Sequence, residues 1–369
     1  MDLYGSFLAP LQPFLIQRHQ LTLTKAGLLV SLYSISASLL QPFYGYWADR
    51  LGRRFFVMLA PLVASVFMTM LPFSSSYGML MMFLFVAGIG VAAFHPQASS
   101  LSHAVSGNRK GLGMSLFISG GNVGTAIGPL YLIFFIQQFG IDSIYLAAIP
   151  GIALTLLLLF YCPEMPKERS TLVLSEMFQQ LRHSAGSLSA LYGIVVLRTL
   201  VQLSFITFVP VLLSQMKLST IYIGAAVTCL TGFGALGGLT GGFLYDRIGG
   251  RNLFLLSSIL SPLFLFLAVT VTTPAGILLN AGLAGFFVMM TIPVSVLMGQ
   301  SIAPHAISTV SSLMMGFGWG VGGMLVPVAG RLADLTSIQE TLRIVAFVPI
   351  LYGVLAWKLP RQEPVAQTV

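Results

Sequence analysis

"GYWADRLGRR", residues 45–54, sets Asp49, Arg50, Arg53 and Arg54 between two long apolar stretches. Charge is scarce elsewhere: 8% of the 369 residues are Asp, Glu, Lys or Arg, and 56% are hydrophobic. Mean hydropathy is +0.91. A soluble domain carries about 25% charged residues. A chain this apolar cannot cover a water-facing surface, so lipid is its solvent and charge is confined to the loops. The net charge of +8 sits in short segments between apolar runs. That is the positive-inside pattern of a membrane protein, and no nucleic-acid partner is expected. Cys162 and Cys229 fall in apolar runs at different depths, so neither a disulfide nor a metal site is expected.

Working outward from 45–54, windows of about 20 apolar residues, the length that crosses a bilayer, mark the spans. Twelve are expected: 1–17, 26–48, 55–73, 79–102, 111–138, 144–163, 186–213, 221–245, 253–272, 275–303, 309–332 and 341–358. The longest polar gap, 164–185, divides them six and six. Its Leu172, Leu174, Met177, Phe178 and Leu181 suit an amphipathic helix on the membrane surface; a solvated linker fits equally. The expected organisation is a first six-helix bundle (1–163), a linker (164–185), a second bundle (186–358) and a tail (359–369). If 49–54 is cytoplasmic, twelve of the eighteen Lys and Arg share that side, among them Arg109, Lys110, Lys167, Arg169, Arg182, Arg251, Lys358 and Arg361. Both termini then lie in the cytoplasm.

The charged stretch recurs. "GFLYDRIGGR", 242–251, aligns with 45–54 at an offset of 197, pairing Asp49 with Asp246 and Arg50 with Arg247. The same offset pairs Pro13 with Pro210, Gly27 with Gly224, Gly88 with Gly285 and Pro96 with Pro293. Gly120, Gly124 and Pro129 meet Gly318, Gly322 and Pro327 at 198. One shift held over several spans indicates two homologous six-helix halves. Each half enters the membrane from the same side, so the repeat is parallel.

Twelve spans, a 6+6 parallel repeat and G-x-x-x-D-R-x-G-R-R after the second span resemble the major facilitator superfamily of secondary transporters. Gly45, Asp49, Arg50, Gly52, Arg53 and Arg54 carry the motif, with Asp246 and Arg247 in the second copy. That copy departs at Gly250, where the first has Arg53. The resemblance implies a cytoplasmic gate at these residues. "GGNVGTAIGP", 120–129, resembles the G-x-x-x-G-P motif of the superfamily's drug–proton antiporters through Gly120, Gly124, Gly128 and Pro129. The glycine pair that usually follows is replaced by Leu130, Tyr131 and Leu132, and close helix packing by small residues is the other reading. "DLYGSFLAPLQP" (2–13), "AGLLVSLYSISASLLQPFYGYWADR" (26–50) and "GVAAFHPQASSL" (90–101) resemble the fosmidomycin-resistance branch, which implies proton-driven efflux of a small compound. Arg198 aligns with Met1, so the first span looks shortened relative to the seventh, as in a truncated member or one with a misassigned start.

Three ionisable residues fall within spans: Asp2, His95 and Arg198, on spans 1, 4 and 7. Charge at membrane depth is costly unless paired or wetted, so it marks a functional site. The resemblance places helices 1, 4, 7 and 10 around a central cavity. Asp2 and Arg198 are expected to face it together, with His95 nearer the cytoplasm. Asp2 or His95 would bind the coupling proton, and Arg198 would hold an anionic group. The bland alternatives are an interfacial Asp2, a His95 that supports the Pro96 kink, and an Arg198 in a structural ion pair. Tyr4, Gln97, Asn122, Gln202, Phe205 and Thr291 are further cavity candidates, and Met289 and Met290 offer an adaptable wall. His103 and His305 are expected at the membrane interface.

No Walker-type phosphate loop, H-E-x-x-H or G-x-S-x-G occurs, so neither ATP hydrolysis nor an intramembrane hydrolase is expected, and no cofactor. The expectation is an all-α polytopic transporter, monomeric, in a bacterial inner membrane. Its partners would be lipid, a small molecule and protons, exchanged by antiport. Proton-coupled uptake of a metabolite and a polytopic sensor are the alternatives.

Overall fold

The structure is a computed structural model that describes residues 1–41, 43–44, 53–105, 110–162, 184–304, 310–311 and 313–361. Every regular element among them is helical. The first half holds α1 (Asp2–Gly5), α2 (Leu8–His19), α3 (Leu23–Ser34), α4 (Arg53–Thr69), α5 (Tyr77–Val105), α6 (Lys110–Phe139) and α7 (Ile149–Tyr161). The second holds α8 (Ala185–Gln215), α9 (Thr220–Ile248), α10 (Gly250–Thr270), α11 (Pro274–Met289) and α12 (Thr291–Ile302). It continues with α13 (Gly318–Met324), α14 (Val326–Leu335), α15 (Ile338–Val345) and α16 (Val348–Ala356). The motif residues Gly45, Asp49, Arg50 and Gly52, most of the linker, His305 and the tail beyond 361 lie outside the described residues.

Nine helical stretches among the described residues are long and apolar enough to cross a membrane. Leu23–Leu39 and Arg54–Thr69, in the second and third expected spans, are apolar but shorter. The first expected span is broken into α1 and α2. Pro10 has no N–H to give the Ser6 carbonyl, and its ring crowds the preceding turn. The chain tightens there instead, with Phe7 N–H donating to the Tyr4 carbonyl at 3.0 Å. The repeat offset also relates helix starts: Leu23 and Thr220, Tyr77 and Pro274, and Ile141 and Ile338 each stand 197 apart.

Within each half, repeat-related glycines bring helices together. A Cβ on Gly88 would overlap Ser36 after α3, and one on Gly285 would overlap the Leu230 carbonyl of α9. Lipid supplies no hydrophobic drive for one helix to seek another, so close backbone approach and interhelical hydrogen bonds must do so. The outer faces stay apolar and exposed, as at Leu116, Val123 and Phe134 of α6 and Leu236 and Leu239 of α9.

Among the described residues the halves meet where α2 lies on α8 and along two glycine-bearing seams. In one, α3 lies on α13 and α14: a Cβ on Gly27 would stand 2.9 Å from Pro327 Cα, and Ser31 donates to the Gly323 carbonyl at 2.8 Å. In the other, α9 lies on α6: a Cβ on Gly224 would stand 2.9 Å from the Ile133 side chain and 3.4 Å from the Pro129 carbonyl. Gln137 donates to Thr220 at 3.3 Å at the end of this seam. Gly27 and Gly224 are repeat mates, and so are Pro129 and Pro327. Each glycine therefore meets the other glycine's counterpart proline. Two π-turns, Ile35–Leu39 and Leu313–Phe317, also pack on one another across the first seam.

At the end of the bundle where α3 begins, Asp334 of α14 caps α3 across the seam. Its carboxylate accepts from Leu23 N–H at 2.7 Å, Thr24 N–H at 2.9 Å and the Thr24 hydroxyl. A carboxylate at a helix N-terminus satisfies donors that have no helical acceptor and complements the dipole.

Gly27→Ala sets its methyl against backbone, and Gly224→Ala against a side chain that can turn. The first is expected to cost about 1–3 kcal/mol and the second less. Melting temperatures in detergent check the order; equal losses would refute the backbone argument. Asp334→Ala is expected to open this end. A Ser31→Cys thiol, in a background lacking Cys162 and Cys229, would then react about fivefold faster with an impermeant maleimide, since a helix-capping side chain is worth ~1 kcal/mol. An unchanged rate would show that the cap does not latch the halves.

Candidate functional site

The sharpest polar contact at membrane depth joins Asp2 and His95. His95 Nε2 stands 3.1 Å from Asp2 Oδ1, with the two side chains 30% and 26% exposed. α1 brings the carboxylate and α5 the imidazole. Gly121 of α6 makes room, because a Cβ there would overlap Asp2 Oδ2. The Tyr33 hydroxyl from α3 reaches the same place, 2.6 Å from where a Gly5 Cβ would stand. Phe117 meets the imidazole edge-on, with ring centres 6.3 Å apart. An acid and an imidazole in contact, shielded but not sealed, can hold and release one proton.

The glycines of 120–129 explain how α1 gets so close. Gly121, Gly124 and Gly128 fall three and four residues apart, on one face of α6. Gly124 lies under Leu3, and Gly128 under Ser6 and the Leu3 carbonyl. Gly120, expected to share this role, has nothing within 4 Å of its Cβ position. Successive helical residues point about 100° apart, so Gly120 and Gly121 cannot serve the same face. Pro129 serves the seam with α9 instead.

Arg198 does not join Asp2. It lies on α8, 2% exposed. Its Nη2 is 3.4 Å from the Thr199 hydroxyl, while Nε and Nη1 have no hydrogen-bond partner. Tyr352 of α16 is its electrostatic neighbour. The Tyr352 hydroxyl is 2.7 Å from Ser257 on α10, which in turn contacts Ser261 and the Phe287 carbonyl. No hydrogen bond or ion pair among the described residues links Arg198 to Asp2 or His95. The structure thus separates a carboxylate–imidazole pair in the first half from a buried guanidinium in the second.

The softer candidates divide. Tyr4 is buried and fully engaged: its hydroxyl donates to the Ala147 carbonyl at 3.1 Å and accepts Gly151 N–H at 2.9 Å. It ties α1 to the start of α7 and has already spent its one donor. Gln97 is buried near His95, whereas Asn122 is exposed on the face of α6 turned from α1. Gln202, Phe205 and Met289 line a cavity of about 10 Å³ inside the second half, and Gln202 Oε1 has no partner. Met290 and Thr291 are core residues, with the Thr291 hydroxyl donating to the Val288 carbonyl.

Of the motif copies, Arg54 is held by the C-terminal end of α7, donating to the Leu159 carbonyl at 3.4 Å. Arg53 opens α4, and its side chain, like that of His103, lies outside the described residues. Asp246 and Arg247 are exposed at the end of α9, with the Arg247 guanidinium 4.3 Å from the Phe243 ring centre. Gly249, at φ +76°, makes a one-residue turn into α10. The departure at Gly250 has a reason: a Cβ there would stand 2.9 Å from the Tyr245 ring.

Three residues near the site or seams escaped the sequence reading. Gly121 was signalled by its three- and four-residue spacing to Gly124 and Gly128. Asp334 was signalled by being one of only ten acids, at the end of an apolar span. Tyr33 carried no signal, since one tyrosine in an apolar run is unremarkable by pattern.

The sequence profile of the Major Facilitator Superfamily matches residues 2–327. The chain is 28% identical to the fosmidomycin resistance protein of Escherichia coli K12, over 97% of this chain and 89% of that one. It is 27% identical to the uncharacterized MFS-type transporter YfnC of Bacillus subtilis 168, over 95% and 88%. Among solved structures, that of the nucleoside transporter NupG superposes with a TM-score of 0.80 at 15% identity, covering 96% of each chain. The helical architecture, the relatives and the profile agree: this chain belongs to the major facilitator superfamily of membrane transporters and is not an enzyme.

Proposed function

We propose that this protein exports a small, anionic or drug-like compound in exchange for protons. Twelve helices in two six-helix halves would rock about the two seams, opening the cavity alternately to either side of a bacterial inner membrane. Both termini would be cytoplasmic, so the Asp334 cap would lie on the outer side and the Asp49 loop would gate the inner. The single observation that carries the coupling reading is the Asp2–His95 contact. One proton takes a neutral imidazole beside a carboxylate from net −1 to net zero. In a low-dielectric interior that difference biases which arrangement of the halves is stable. Similarity to the fosmidomycin resistance protein supports the export direction.

Arg198 is the proposed contact for an anionic group on the cargo. Support comes from its two unpartnered nitrogens, since a buried charge left uncompensated is strongly unfavourable. Its neighbourhood of Tyr352 and Ser257 favours a second reading, in which it braces α8 against α10 and α16.

The test uses reconstituted vesicles under an imposed pH gradient, screened with phosphonates, organic acids and cationic drugs. The wild-type chain is expected to move protons when cargo is added, against the direction of cargo flow. Asp2→Asn and His95→Gln should lose this proton movement while still binding cargo. Unchanged proton flux in both variants would remove the pair from coupling. Proton and cargo moving together would identify an uptake symporter, and no flux with any cargo would favour a sensor. Arg198→Ala should weaken binding of an anionic cargo about tenfold to a hundredfold, the worth of one lost charge-assisted hydrogen bond. If it lowers only the melting temperature, the bracing role stands.

A further inference from the structure

A second polar site lies well away from Asp2 and His95, at the end of the bundle that carries the 242–251 loop. Between the start of α10 and the end of α16 there is an open pocket of about 320 Å³. That is the lower end of the ~300–1,000 Å³ range of small-molecule sites. Arg251, Asn252 and Arg361 supply its polar groups, and Ile248, Leu255 and Trp357 its apolar wall. No acid lines it. Neither arginine has an ion pair among the described residues, and Asp246, one turn before the pocket, is exposed and pairs with neither.

The Arg251 guanidinium lies 4.7 Å from the centre of the Trp357 ring. Stacking holds the planar fork in one orientation and leaves its edge donors free. Asn252 is turned back onto the end of α9, donating to the Ile248 carbonyl at 2.7 Å, so the two arginines dominate the pocket's charge. Trp357 is itself 62% exposed and closes an apolar span, where tryptophan sits at the level of lipid headgroups. Ile248 is 37% exposed beside it, so the wall continues outward as a lipid-facing surface.

We propose that this pocket binds the phosphodiester headgroup of an anionic phospholipid, with Arg251 and Arg361 on the phosphate and an acyl chain along Ile248 and Trp357. The chemistry on the protein side is that of any phosphate ester, and basic pockets between helix ends at a membrane surface take such headgroups. The apolar wall open to the bilayer favours the lipid over a soluble phosphate. Occupancy would tie α10 to α16 in the second half.

The full-length chain is purified in a mild neutral detergent, and lipid binding is followed by native mass spectrometry and by melting temperature. The probes are phosphatidylglycerol, phosphatidylcholine and inorganic phosphate. Phosphatidylglycerol is expected to be retained and to raise the melting temperature, and phosphatidylcholine to do neither. Arg251→Gln and Arg361→Gln should each weaken retention about fivefold, the effect of one basic residue at an anionic surface. Arg361→Gln removes an exposed side chain from the end of the pocket, so it reports even if Arg251→Gln fails to fold. Equal retention by wild type and Arg361→Gln would overturn the site. Stabilisation by inorganic phosphate, with none by phosphatidylglycerol, would overturn the lipid as its source.

Discussion

Two glycine–proline contacts let the backbones of the halves approach along the two seams, beside the packing of α2 on α8. Gly27 lies against Pro327, and Gly224 against the turn at Pro129. In lipid, apolar side chains gain little by leaving one greasy surrounding for another, so a seam must be made by atoms that fit. Glycine lets one backbone reach another. Proline loosens the opposing helix by withholding a hydrogen bond. Because each contact joins one member of a repeat pair to the counterpart of the other, the two seams are versions of one interaction. The proposed rocking motion would use both without favouring either half. The π-turns packed on each other along the first seam supply further places where a helix can change course.

Charge follows a different logic. The chain tolerates few ionisable groups at membrane depth, and each is managed by its own neighbourhood. Asp2 is admitted by the missing side chain of Gly121 and partnered by His95. Arg198 is enclosed by the second half, beside a tyrosine–serine chain that leaves two of its nitrogens unpartnered. The acid–base pair and the guanidinium belong to different halves, so relative motion of the halves would change the field each feels from the other. Asp334, at the rim, shows the opposite strategy: an exposed carboxylate whose value lies in the backbone donors it satisfies across a seam.

Much of this was legible before any coordinates. Composition identified lipid as the solvent, and charge between apolar windows marked the loops. The 197-residue offset found in short motifs reappears in helix starts such as Tyr77 and Pro274. One packing assignment followed the right element but the wrong side of it. Gly120 was paired with Gly124 and Gly128 by motif, whereas Gly121 makes the contact. Tyr4 read as a cavity residue, and the structure shows its hydroxyl bonded to the Ala147 carbonyl and Gly151 N–H. A rotation of about 100° per residue separates a packing face from an open one, and motif spacing does not report which face meets what.

The sequence alone determined the solvent, the helical class, the expected spans, the internal repeat and the family resemblance. Each of these rests on composition or on order along the chain, and both are complete in one dimension. The tertiary structure decided that Asp2 meets His95 and not Arg198, that Asp334 caps a helix of the other half, and that repeat-related glycines meet each other's prolines. Those outcomes depend on how each helix is rotated and how deeply its neighbours approach. In a membrane both are set by close packing between distant segments, since lipid contacts all apolar faces alike.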